Sequence, residues 1–302
     1  MAREKSILIT GATAGIGRFA ALYLAKKGYR VFAAGRSEAA LESLRGEAKG
    51  LSLEAFRLDV TDAASIESAR SLVDERTDGA GVDVLINNAG FGIAAPIELT
   101  EDADLRRLFE TNVFGLMAVT RAFLPAMRRR GSGRVINVSS VGGRLTFPFF
   151  GAYNATKYAV ESLSDALRIE LRAFGIDVVL IEPGVIRSEF ADRSVSELAK
   201  YKKMESPYLP VMARADELKR QTDAQAVGPE CVARAMERAI EARRPAARYV
   251  APFRARILLA LFAVVPTRWL DAAMRSLTGL TRKHLSSSKS DPTVRPSQAL
   301  AG

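Results

Sequence analysis

One cysteine, one histidine and one tryptophan are all that the 302 residues contain of those types. The lone thiol, Cys231, rules out an internal disulfide and fits a reducing compartment, and it reads as a small buried residue on a helix. The lone histidine, His284, lies in a polar C-terminal stretch. Single copies of each leave no ligand set for a thiolate- or imidazole-based zinc site and no histidine-centred triad. Long apolar runs are missing as well. The most compact one outside the expected core, Ile257–Val265, has nine residues, whereas a bilayer needs about 20. The opening Met1-Ala2-Arg3-Glu4-Lys5 passes straight into a β-like stretch without a signal-peptide apolar region, so a cytoplasmic chain is expected.

Acidic residues are outnumbered, which gives a net charge of +10, but the excess is local. From Arg243 to Gly302 there are eleven Lys/Arg against Asp271 and Asp291, so +9 of the total belongs to the C-terminal fifth. The preceding residues are close to neutral, and a nucleic-acid-binding core is not indicated. What the chain does have is 48% hydrophobic and 26% charged residues, the balance of a globular protein with ample core.

Ser6 to Thr10 reads as a buried strand, followed at once by Gly11-Ala12-Thr13-Ala14-Gly15-Ile16-Gly17 and a helix to about Lys27. A strand, a glycine-rich turn and a helix N-terminus make a pyrophosphate site, because unpaired amides and the positive end of the helix dipole point at the phosphates. A second strand, Arg30 to Ala34, ends in Gly35-Arg36-Ser37. A fold that takes NAD usually carries a carboxylate here for the ribose 2′-hydroxyl. Arg36 can instead grip a 2′-phosphate, so NADP(H) is expected rather than NAD(H). Helix Glu38 to Lys49, strand Leu53 to Leu58, Asp59-Val60, a helix from Thr61-Asp62 to about Asp78 and strand Val82 to Ile86 follow. The alternation predicts an α/β fold with a doubly wound parallel sheet and helices on both faces.

A single helix is expected from about Glu101 to Arg130, with Asn112 beside its apolar stripe and in need of a backbone or water partner if not solvated. Strand Arg134 to Val138 then delivers Ser139-Ser140 at its carboxyl end, where open α/β sheets place their ligands. Tyr153 and Lys157 stand i and i+4 on the next helix, so they share a face. An ammonium beside a phenol in a dry site favours the phenolate.

Thr10-Gly11-x-x-x-Gly15-x-Gly17, Asn87-Asn88-Ala89-Gly90, Asn112, Ser140, Tyr153, Lys157 and Pro183-Gly184 stand in the order and spacing of the short-chain dehydrogenase/reductase family, in its non-extended branch, which residues 4 to about 250 resemble. Ser140, thirteen residues before Tyr153, matches that spacing better than Ser139, and adjacent strand residues face opposite ways. The resemblance implies a Rossmann fold and hydride transfer with Tyr153 as general acid/base. Ser140 would orient the carbonyl oxygen, Lys157 would bind the nicotinamide ribose and lower the tyrosine pKa, and Asn112 would hold a water linking Lys157 to solvent. It also implies dinucleotide contacts from Gly11, Thr13, Ala14, Gly15, Ile16, Gly17, Arg36, Ser37, Asp59, Val60, Asn88, Ala89, Gly90, Pro183, Gly184, Ile186 and Ser188, besides Tyr153 and Lys157. Ser188 replaces the threonine frequent in the family but keeps the hydroxyl. No metal is implied.

Ser140-Val141-Gly142-Gly143 and Asn88-Ala89-Gly90-Phe91-Gly92 look most like the hydroxysteroid and retinol dehydrogenase group. Phe91, Phe147, Phe149, Phe150, Phe190, Met204, Tyr208, Val211 and Met212 would wall an apolar pocket for a lipophilic ketone, aldehyde or alcohol. Residues Ser188 to Ala226, charged and loosely periodic, are a candidate lid. A helix from Glu230 to Arg243 and a last strand, Ala247 to Ala251, complete a domain of residues 1–252. Residues 253–285 form a helical basic and apolar extension, expected to touch an anionic membrane surface, cap the pocket or support a homodimer. Residues 286–302 are expected to be disordered. A non-catalytic dinucleotide sensor or docking protein on the same fold is the competing reading. The intact Asn112, Ser140, Tyr153 and Lys157 set argues for the enzyme.

Overall fold

Ser6–Thr10 is buried at every position, as a central parallel strand covered on both faces must be. This strand, β1, leads to α1 (Gly15–Lys26), β2 (Arg30–Gly35), α2 (Glu38–Glu47), β3 (Leu53–Arg57), α3 (Ala63–Arg76) and β4 (Val84–Asn87). Next come α4 (Asp102–Phe109), a π-helical turn (Glu110–Gly115), α5 (Leu116–Arg130), β5 (Gly133–Val138), α6 (Gly151–Leu171) and β6 (Ile176–Pro183). The chain continues through α7 (Glu189–Tyr201), α8 (Leu209–Met212), α9 (Ala215–Ala224), α10 (Glu230–Glu241), β7 (Arg248–Ala251), α11 (Phe253–Val264) and α12 (Thr267–Thr278). The computed structural model describes residues 4–282 and Leu285. His284 and the tail 286–302, with the disorder expected there, lie outside the described residues.

All strand pairs are parallel and the order is β3-β2-β1-β4-β5-β6-β7. This is the Rossmann arrangement that the strand and helix alternation predicts. The chain order reverses between β1 and β4, so their carboxyl ends open a crevice, the usual ligand position in such sheets. Period-two alternation divides the core. Ile7 and Ile9 pack with Leu24, Val31 and Met236 on one face, while Leu8 packs with Phe32, Leu85, Phe123 and Val135 on the other.

Two segments differ from their sequence expectation. The helix expected over Glu101–Arg130 is interrupted by the π-turn, in which one residue more than an α-helical turn is accommodated. Gly115 lies so close to the loop after β3 that a Cβ there would stand 2.8 Å from the Val60 carbonyl oxygen. The candidate lid is three helices, α7 to α9, whose apolar positions face β4–α4 and α6. Cys231 is half-buried near the start of α10, its thiol 3.3 Å from the Gly228 carbonyl.

Candidate active site

The turn after β1 is built for close approach. Gly11 has φ +65, and a Cβ there would lie 2.8 Å from Ala89 Cα. At Gly17 it would lie 2.3 Å from the Gly11 carbonyl oxygen, so helix, turn and the β4 loop are in direct backbone contact. Asn88 holds this geometry: its Nδ2 donates to the Thr10 and Gly11 carbonyls at 3.0 and 3.1 Å. The Thr10 hydroxyl in turn accepts the Asn88 and Ala89 amides. Asn88 therefore shapes the turn, and its side chain is not turned outward to a ligand. Helix α1 has no side-chain cap and no acidic residue in its first turn, which suits a diphosphate at its N-terminus. Ser188 closes the turn from the other side, its Cβ 3.4 Å from where a Cβ of Gly15 would be. Thr13 packs on Gly35 at the end of β2.

Arg36 is exposed just beyond β2, and Arg57, ending β3 in register with Gly35, is a second cation there that sequence reading passed over. Asp59 follows β3. Burial pushes its carboxyl up, but hydrogen bonds from Thr61 and the charges of Arg36 and Arg57 outweigh this and hold it below its ordinary value. The Ser37 hydroxyl accepts the Ala40 amide as the cap of α2. Val60 is buried, as is Ile186, which bridges to Val227. The Gly184 amide bonds Ala251, fixing the loop after Pro183. These groups fit a dinucleotide laid across the carboxyl edge of the sheet.

Ser140, Tyr153, Lys157 and Asn112 meet at the same edge. The Ser140 hydroxyl accepts the Gly142 amide at 3.0 Å and lies near enough to Tyr153 to lower the pKa of its phenol. Ser139 points away, toward Gly143 and Glu161. Asn154 pins the intervening loop, donating to the Gly142 and Leu145 carbonyls at 2.7 and 3.1 Å and accepting from the Phe147 amide. Asn112, in the π-turn, is buried. It pairs with both backbone groups of Phe91 and donates to Thr156 Oγ1 at 3.0 Å. A Cβ on Gly90 would sit 3.0 Å from Asn112 Oδ1 and 3.8 Å from Lys157 Nζ, which locates these motifs within one small volume.

Burial dominates the electrostatics around Lys157. Its ammonium donates to the Val138 carbonyl at 2.8 Å and lies 5.8 Å from the Tyr153 ring centroid. Burial lowers its pKa to about 8, opposed only by Glu161. Burial likewise pushes Tyr153 up to about 12, with the neighbouring Ser140 hydroxyl pulling the other way. Desolvation is the largest cause of both shifts, and the phenol is protonated at neutral pH.

Behind Lys157 lies an acidic pair. Glu161, one turn further along α6, and Glu182, in β6, are both buried. Arg248 bridges them, 3.0 Å from Glu161 Oε2 and 3.2 Å from Glu182 Oε1, and also binds Asp165 at 2.6 Å. Arg144 reaches Glu182 at 3.4 Å. Burial and then Glu161 raise Glu182 to about 7, and burial raises Glu161 as well. A carboxylate at the buried end of the apolar stretch Val178–Pro183 was the signal available in the sequence.

The candidate lid reaches Tyr153 directly. Phe190 of α7 lies 5.2 Å from the Tyr153 ring, and Phe150 meets it edge-on at 6.4 Å. Phe91, Phe149, Tyr208 and Met212 cluster nearby with Ile93, Leu108 and Tyr201, whereas Phe147 packs with α11. Val211 is buried and Met204 is exposed, so Met204 is outside the apolar wall. The lid is fastened to α4: fully buried Tyr201 donates to Asp104 at 2.6 Å, Arg107 pairs with Glu197 at 3.2 Å, and Lys200 with Asp104 at 3.1 Å.

A Rossmann sheet whose carboxyl edge carries a glycine-rich phosphate turn and a serine–tyrosine–lysine cluster defines a nicotinamide-dependent oxidoreductase acting on CH–OH groups. The family profile described as short chain dehydrogenase matches residues 5–199, and the chain belongs to the short-chain dehydrogenase/reductase family. It is 35% identical over 272 residues to the uncharacterized oxidoreductase YbbO of Escherichia coli, covering 90% of this chain and 94% of that one. To human retinol dehydrogenase 16 it is 36% identical, covering 90% and 88%. Among solved structures, a short-chain dehydrogenase from Streptomyces avermitilis aligns with TM-score 0.73 and 34% identity, covering 96% of this chain and all of that one. The actinorhodin polyketide ketoreductase with NADPH aligns at 0.70 and 29% (83% and 97% covered), and a Burkholderia phymatum family member with NAD at 0.74 and 28% (85% and 92%).

Proposed function

We propose that the protein is an NADP(H)-preferring carbonyl reductase, reversible as an alcohol dehydrogenase, for lipophilic ketones, aldehydes or secondary alcohols. The observation that carries this reading is Tyr153, whose ring packs against Phe150 and Phe190 and which shares helix α6 and the carboxyl edge of the sheet with Lys157, close to Ser140. When bound, the nicotinamide supplies or accepts the hydride. The chain's part is the proton and the surroundings. A phenol protonated at neutral pH can donate to a developing alkoxide, while Ser140 directs that oxygen. Lys157, fixed to Val138 beside Gly90, would hold the nicotinamide ribose. The aromatic walls exclude water and favour an apolar substrate.

The preference for the phosphorylated cofactor rests on Arg36 and Arg57 at the ends of β2 and β3, and on the absence of a carboxylate immediately after β2. Structural neighbours are found with NADPH and with NAD, so the assignment comes from this chain's own cations. The name of retinol dehydrogenase 16 is consistent with a lipophilic substrate. The reading is tested by following NADPH and NADH oxidation over a panel of ketosteroids, retinal, long-chain aldehydes and 3-oxoacyl thioesters. At least one apolar carbonyl should turn over faster with NADPH than with NADH. Turnover confined to small polar carbonyls, or faster with NADH, overturns it.

A further inference from the structure

Helix α11 rests on the domain by one stripe. Ala255 and Leu259 are buried, and with half-buried Phe262 they pack on Val141, Leu145, Phe147 and Val250, beside the loop that carries Ser140. An amphipathic surface helix would be polar on its other sides. This one is not: Phe253, Ile257, Leu258, Leu261 and Val264 are exposed, Val264 at 77%. After the turn at Pro266, α12 adds exposed Trp269 and Leu277. Interspersed with them are Arg254, Arg256, Arg268, Arg275 and Arg282, all exposed, against the single acid Asp271, a net of +4 over residues 253–282. Neither helix exceeds 12 residues, about 18 Å, and no helix among the described residues is long and apolar enough to cross a membrane.

We propose that α11 and α12 form a docking surface that lies in the face of an anionic lipid bilayer, with the apolar side chains in the acyl boundary and the arginines among the headgroups. Charge selects this occupant. A second copy of the chain would set +4 against +4, whereas anionic headgroups complement the arginines. A groove on a protein partner reads one stripe of a helix. Helix α11 has already used one stripe on its own domain and, beyond Arg254 and Arg256 in its first turn, is apolar on the rest, a distribution suited to a medium that accepts side chains from several directions. Arginine stems and an indole are at home at that depth. The docked face adjoins the Ser140 loop through Val141, Leu145 and Phe147, so a lipid-dissolved carbonyl would reach the site with little passage through water. The docking itself does not rest on the substrate assignment, and its test needs no turnover.

Trp269 is the only tryptophan of the chain, so its fluorescence reports on this surface alone. Full-length protein is titrated with vesicles of phosphatidylcholine containing 30 mol% phosphatidylserine, and with pure phosphatidylcholine, by Trp269 emission and co-sedimentation. The expected result is a blue shift and pelleting with the anionic vesicles that high salt weakens without abolishing. Each arginine near an anionic surface is worth about fivefold in partitioning, so R254E/R256E should lose at least about tenfold. L261D/V264D, at exposed positions that need not disturb the fold, should remove the salt-resistant part. No shift, or equal binding to neutral vesicles, overturns the proposal. So does concentration-dependent dimerisation abolished by L261D/V264D without vesicle binding, which would make a second copy the occupant. A Trp269 shift produced in the absence of lipid by removing residues 286–302 would overturn it too, because that segment would be the cover.

Discussion

In the proposed reaction Tyr153 is the residue on which the chemistry turns, and its environment would set the direction of easy catalysis. A phenol pushed up to about 12 is a ready donor and a reluctant base. Carbonyl reduction should therefore hold its rate up to alkaline pH, while alcohol oxidation, which needs the phenolate, should rise with pH. Initial rates in both directions from pH 6 to 10 check the sign. Tyr153→Phe should lower kcat by about 10²–10⁴ and leave NADPH affinity within a few-fold, as measured by steady-state kinetics and cofactor titration. Arg36→Asp should weaken NADPH by about 30- to 1000-fold, roughly 2–4 kcal/mol, and leave NADH almost unchanged. Equal losses for the two cofactors in a binding titration would make Arg36 a surface residue.

Glu182 permits a separate test through stability. Its carboxyl is raised from 4.5 to about 7, so the folded chain keeps a proton over a pH range where the unfolded chain has lost it. Stability linked to this group is full below the unfolded value and falls as pH rises through about 7. Glu182→Gln fixes the neutral form. Urea denaturation at pH 5 and pH 8 should show wild type losing up to about 3 kcal/mol relative to the variant. Parallel pH dependences would mean that Arg248 and Arg144 keep the carboxylate charged throughout.

At the scale of elements, the lid is held by side chains more than by continuous core. The buried hydrogen bond from Tyr201 to Asp104 is its innermost fastening. Asp104 sits below its ordinary carboxyl range although burial pushes it up, because Tyr201, Lys200 and Arg107 all favour its charge. Tyr201→Phe should cost about 1–2 kcal/mol, concentrated in α7–α9. Hydrogen exchange should speed up there while β1, β4 and β5 keep their protection; uniform acceleration would instead make Tyr201 part of the global core.

Much of this element plan was legible. Strands betrayed themselves by continuous apolar runs such as Ile7–Ile9, and the glycines by a spacing that only a backbone-to-backbone approach requires. The candidate lid was legible as a segment but its division into three helices was not, because they carry salt bridges on most faces and bury only occasional residues such as Leu198 and Tyr201. That Tyr153, Lys157 and Ser140 would meet at one edge was readable from spacing. Their pKa directions were not, since burial is a property of everything packed around them. Asn154, Glu161 and Arg248 are far apart in meaning until α6, β6 and β7 are brought side by side.

As a whole molecule, the chain ties its dinucleotide edge to both halves of the sequence, from Gly11 through Gly90 to Ser188. A ligand on that edge should consequently stabilise the full domain rather than one end. At about 100 times its Kd, NADPH should add about 2.7 kcal/mol, or roughly 5 °C in Tm, and NADH at the same concentration much less. Differential scanning fluorimetry with both cofactors reads this directly. A shift that is equal for both would count against the role of Arg36.

The single extra residue accommodated in the turn Glu110–Gly115 acts as a phase setting between two machines. On one side it aims Asn112 at Phe91 and Thr156, and on the other it fixes the azimuth of α4, which carries Asp104 to Tyr201. An α-helix advances about 100° per residue. Deleting one residue there would restore a plain helix and turn α4 by that angle against α5, so that the lid latch and the Asn112 bonds could not both be met. Lid and catalytic edge are thereby geared together through one helix, and the length of that turn should tolerate neither insertion nor deletion.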